Sequence, residues 1–158
     1  MKTDLTSQET AVQSVSVSGE ELAQLIAQKP PMVMIDKLVS VSDHFSETRY
    51  SVPEGGIFSD DGQLSEAGLV ENMAQTIGVG SGFSRRRKGK ELLTGFMTMI
   101  KNLKIERLPD CGSEIRTEVR FQYQALNFRI FSGKVFSNNQ QIAECEIRVY
   151  SPDQEELT

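Results

Sequence analysis

Residues 65–83 carry a helical pattern long enough to cross a domain, and the long apolar segments that flank it read as strands. Ser65 can cap this helix, and Glu66 in its first turn suits the macrodipole. Its faces are unequal. Val70, Met73 and Ile77 form a bulky stripe, whereas Ala67, Glu71, Ala74 and Gly78 form a stripe of small residues around one acid. Gly78, Gly80 and Gly82 are poor helix formers, so their presence predicts close approach by another backbone. Such a helix is central and wrapped.

What wraps it is read from the remaining periodicity. Over residues 114–123, Ile115, Thr117, Val119, Phe121 and Tyr123 alternate with charged or amide residues, the mark of a half-buried antiparallel strand. Residues 32–41 and 46–52, separated by Ser42-Asp43, predict two earlier strands. Residues 93–105, 128–136 and 142–150 predict later ones, the last two joined by an Asn138-Asn139 turn. Ser18-Gly19-Glu20-Glu21 has the capping-box spacing of a short helix through Leu22, Leu25 and Ile26. The fold class expected is α+β, a curved antiparallel sheet of about six strands wrapped around one long central helix. A flexible polar lead-in is expected over residues 1–16, one domain over 17–151 and a tail over 152–158.

Composition narrows the function. A net charge of −5 argues against nucleic acid as the main partner. No apolar run approaches a membrane span, and the first residues lack a signal-peptide hydrophobic region, so a cytoplasmic protein is expected. Cys111 and Cys145 are isolated and the chain has one histidine, His44, so neither a metal site nor a cofactor is expected. Cys145 falls on an apolar strand face and reads as a small core residue. Glu71 is different. A carboxylate within Leu69-Val70-Glu71-Asn72-Met73-Ala74-Gln75 costs free energy unless it is paired, hydrogen-bonded or neutralised, which makes it the first site candidate.

Two blocks then carry a resemblance. Pro31-Met32-Val33-Met34-Ile35-Asp36-Lys37-Leu38 is similar to the P-F-L-L-V-D-R-V of the hotdog-fold 3-hydroxyacyl-acyl-carrier-protein dehydratases. Residues 64–78 lie without a gap on their helix, approximately M-P-G-V-L-I-V-E-A-L-A-Q-A-A-G, with identities at Glu71, Ala74, Gln75 and Gly78. The same register places the family's G-H-F-P-G on Gly56-Ile57-Phe58-Ser59-Asp60, so Ile57 stands where the family has its histidine. A second family histidine falls on Gln28.

The resemblance implies a hotdog fold, an edge-to-edge dimer, and a 3-hydroxyacyl thioester of acyl carrier protein or coenzyme A as substrate, in fatty acid or polyene-type biosynthesis. In the family the histidine removes the α-proton and the helix carboxylate serves the departing hydroxyl. Glu71 is therefore the implied catalytic residue. Gly56, Ile57, Phe58, Ala67, Gly68 and Gln75 are the implied substrate-binding set, with the helix N-terminal amides polarising the carbonyl. Ile57 can neither take nor give a proton, so a homodimer would hold half the machinery.

Three roles follow. The chain can pair with a histidine-bearing hotdog paralogue and supply Glu71 to a composite dehydratase. It can be a thioesterase using Glu71 alone as base or nucleophile, or a non-catalytic acyl-thioester binder or structural subunit. Arg85, Arg86, Arg87 and Lys88, read as a basic loop, can dock an acidic carrier or simply be solvated. Gln75 is equally a helix-to-sheet hydrogen bond, Asp36 favours backbone amides over catalysis, and Phe58, Phe83, Phe96, Met97 and Met99 read as core or tunnel wall.

Overall fold

The computed structural model describes residues 11–152. Seven strands form one antiparallel sheet: β1 (Gln13–Ser18), β2 (Lys37–Ser42), β3 (Phe45–Ser51), β6 (Phe96–Ile105), β7 (Glu114–Ala125), β8 (Phe128–Ser137) and β9 (Gln140–Tyr150), in the order β1-β2-β3-β7-β8-β9-β6. A two-stranded hairpin, β4 (Ser59–Asp60) and β5 (Gln63–Leu64), precedes the long helix. The helices are α1 (Gly19–Ala23) and α2 (Glu66–Arg87). The curved sheet packs around α2, whose buried Leu69, Met73 and Ile77 meet Ile115, Val135 and Ile147 in the main core. A smaller cluster joins Leu22, Leu25 and Ile26 to Leu38, Val41 and Val79.

The α+β expectation holds, with seven strands in the main sheet where about six were expected. The extra one is β1, most of which lies inside the stretch read as a flexible lead-in. Val15 and Val17 alternate with serines, Val17 is buried, and β1 pairs antiparallel with β2. Residues 1–10 and 153–158 lie outside the described residues.

Three other boundaries move for physical reasons. Residues 32–36 are not strand. The Met34 N–H donates to Gln75 Oε1 at 2.7 Å and its carbonyl accepts from Asn72 Nδ2 at 2.7 Å, so helix side chains take the bonds a ladder would use. Ser18 flanks α1 without a side-chain cap bond, so the capping-box pattern is not realised. The supposed basic loop is the last turn of α2, where cations favour the C-terminal dipole. Lys90 N–H reaches the Arg85 carbonyl at 2.9 Å and Gly89 N–H the Arg86 carbonyl at 3.1 Å. With Gly89 at φ 68° this is a Schellman ending.

The glycine expectation divides. A Cβ on Gly82 would overlap the Leu25 carbonyl, and one on Gly80 would lie 2.5 Å from Ser46 Oγ. Gly78 has nothing within 4 Å. It faces a cavity.

Candidate active site

Ser65 caps α2, its Oγ accepting from the Gly68 N–H at 3.2 Å, and the helix then presents two chemically different faces. Asn72 and Thr76 point into the sheet. Asn72 Oδ1 accepts from Thr117 Oγ1 at 2.6 Å, Thr76 Oγ1 donates to the Asn72 carbonyl at 2.8 Å, and Ser46 Oγ donates to the Thr76 carbonyl at 2.7 Å. These groups are buried and paired, as buried polar atoms must be.

The other face borders a cavity of about 400 Å³ lined by Glu71, Ala74, Ile77, Gly78, Ile26 and Phe131, among others. Glu71 is partly buried, and Gln75 Nε2 donates to its Oε1 at 2.8 Å. Its other carboxylate oxygen has no donor among the described residues and remains available to a ligand. Gln75 is 1% exposed, and it also donates to the Met32 carbonyl at 2.7 Å. Both its functional atoms are therefore engaged. It positions Glu71 and ties α2 to residues 32–34, which leaves no free group with which to bind substrate.

Of the implied substrate-binding set, none lines this cavity, whereas the implied catalytic residue Glu71 does. Ile57 is 52% exposed on the segment before β4, with Gly56 beside it, while Phe58 packs against the main core. Gly68 is buried between Leu64 and Phe58, and its amide is held by Ser65, so it is not a free oxyanion donor. Ala67, exposed in the first turn, is not so enclosed. Gln28, at the position of the second family histidine, does line the cavity. His44 stacks on Phe121 with centroids 5.1 Å apart, at the β2–β3 turn.

Arg129 escaped the sequence reading. It lines the Glu71 cavity, with its guanidinium 5.0 Å from the Phe131 ring centroid and 5.4 Å from that of Phe121. Counting back by twos from Val135 through Gly133 and Phe131 places it on the sheet's inner face, which was the available signal. Phe96, Met97 and Met99 are 54%, 39% and 41% exposed; Phe96 and Met97 border the cavity, and none is core. Asp36 Oδ2 accepts from the Ser51 N–H at 2.7 Å, a backbone role. Burial pushes the Cys145 thiol up to about 11, with Glu144 adding to it, which suits a core residue and not a nucleophile.

A long helix clasped by a curved antiparallel sheet is the hotdog architecture, here with one carboxylate facing a cavity. The chain belongs to the ApeP-like family, described as ApeP dehydratase, whose model matches residues 20–158. Among solved structures it is similar to a chain of the dehydratase heterocomplex ApeI:P from Xenorhabdus doucetiae, at TM-score 0.76 and 22% identity, covering 84% of this chain and 91% of that one. A Streptococcus mutans protein bound to acetyl CoA matches at TM-score 0.60 and 10% identity, over 75% and 90%. A hypothetical thioesterase with coenzyme A from Streptococcus pneumoniae matches at 0.61 and 8%, over 75% and 86%. No curated protein matches. Among the described residues no helix is long and apolar enough to cross a membrane.

Proposed function

We propose that this chain is the acid-bearing subunit of a composite dehydratase for 3-hydroxyacyl thioesters, and that its partner is a hotdog paralogue carrying the histidine. The observation that carries this is one carboxylate, Glu71, oriented by Gln75 toward a cavity, in a chain whose family-base position is the apolar Ile57. In the reaction the partner's histidine takes the α-proton while Glu71 delivers a proton to the departing β-hydroxyl. The C–O bond breaks, water leaves, and the electron pair released at Cα forms the double bond of a 2-enoyl thioester.

Strand β6 supports a paired assembly. It ends the sheet and exposes Phe96, Met97, Met99, Ile100 and Leu103, an apolar edge that a second sheet would cover. The structural neighbour from a dehydratase heterocomplex makes a paralogue the favoured partner over a second copy. Arg85, Arg86, Arg87 and Lys88 crown the C-terminal end of α2 and suit an acidic acyl carrier protein.

Purified alone, the chain is expected to show no appreciable hydration of a crotonyl thioester, and activity is expected once the histidine-bearing paralogue is added. Robust turnover by the isolated chain would sink the composite reading. A thioesterase reading is favoured by the coenzyme-A-containing thioesterase neighbour and the solitary carboxylate. It requires free-thiol release from acyl thioesters by the wild type, abolished in Glu71→Ala.

A further inference from the structure

A second cavity, of about 210 Å³, adjoins the Glu71 cavity and shares Ser81, Leu93 and Arg129 with it. Its walls carry Arg85, Lys88, Lys90 and Arg129 against the single acid Asp43, an excess of three positive charges in a chain whose net charge is −5. Asp43 is already engaged, accepting from Lys88 Nζ at 3.2 Å and from Ser84 Oγ at 3.1 Å. Arg85 donates its Nε to the Glu91 carbonyl, and Arg129 lies against two phenyl rings. Neither guanidinium has a carboxylate partner among the described residues. Burial first, and then the charge of Arg85, pull the Arg129 pKa below its ordinary value.

Two guanidiniums that border one cavity with no carboxylate partner are costly, and a guanidinium pair matches the oxygens of a phosphate. We infer that this second cavity is a phosphate subsite, in which Arg129 and Arg85 receive the phosphate of a pantetheine arm whose thioester end lies at Glu71. The inference rests on the thioester reading above and adds the direction of approach. From Glu71 to Arg85 the helix rises about 21 Å, at about 1.5 Å per residue, so an arm would run along α2 from its cationic end. Lys88 and Lys90 at the mouth are exposed, as suits the ligand end that stays in water, and Ile26, Ile77 and Phe131 line the stretch toward Glu71.

The test is calorimetric titration of the full chain with phosphopantetheine, coenzyme A and phosphate-free pantetheine at fixed ionic strength. Phosphopantetheine and coenzyme A are expected to bind at least about tenfold more tightly than pantetheine. Arg129→Gln and Arg85→Gln are each expected to weaken both by at least about tenfold. Lys134→Gln, at the far end of β8, should change neither, and Arg85→Gln guards against a folding defect in Arg129→Gln. Equal binding of pantetheine, or wild-type affinity in both arginine variants, overturns the proposal. So does an arginine dependence seen with coenzyme A but not with phosphopantetheine, which would place the anion beyond the arm. Binding is read without turnover, so an inactive complex that still binds phosphopantetheine would defeat the dehydratase reading and leave this subsite standing.

Discussion

The two faces of α2 hold polar residues a few positions apart and use them oppositely. Away from the cavity, Asn72, Thr76 and Gln75 are buried and their side-chain groups have protein partners within 2.9 Å. Toward the cavity, Glu71 keeps one carboxylate oxygen unengaged among the described residues, and its neighbours along the face are small: Ala74, Gly78 and Ser81. A satisfied buried group fixes geometry, whereas an unsatisfied one beside open volume awaits a ligand. Burial alone does not mark a site on this helix. The unmet partner does.

Substitutions can break that contrast. The largest stability effect is expected at Asn72→Ala, which strands the Thr117 hydroxyl and the Met34 carbonyl and should cost about 2–4 kcal/mol. Urea unfolding followed by circular dichroism suits a chain without tryptophan. A loss under about 1 kcal/mol would mean that water replaces the amide and that the inner face is not the rigid one. Next is Gly82→Ala, where the new methyl meets the Leu25 backbone, with an expected loss of about 1–3 kcal/mol. The same change at Gly78 should have the opposite sign. With nothing within 4 Å, alanine there should gain up to about 1 kcal/mol through helix propensity. Destabilisation by Gly78→Ala would show that the cavity face is packed in solution.

Most of this division could be read from residue types. The small-residue stripe around Glu71, the bulky stripe of Val70, Met73 and Ile77, and the alternation from Ile115 to Val119 follow from local periodicity, which is why helix and sheet were recoverable. What local pattern could not supply is partner identity. Residues 32–35 look like a strand because they are apolar, yet the backbone N–H and carbonyl of Met34 bond to Gln75 and Asn72, some forty residues away. Arg129 escapes a reading of residue types because its inner-face position depends on counting along β8 from Val135. The N-terminal β1 was overlooked because its valines alternate with serines that compositional reading assigns to loops. The basic run belongs to the helix because Gly89, which ends it, comes after the run.

The central claim is that Glu71 is this chain's contribution to chemistry. It is tested most directly by Glu71→Gln, which preserves shape and can still accept from Gln75, in the complex with the proposed histidine-bearing partner. Single-turnover dehydration of a 3-hydroxyacyl thioester is predicted to slow by about 10²–10⁴-fold, with assembly and unfolding midpoint unchanged. A complex that forms normally and dehydrates at the wild-type rate would contradict it.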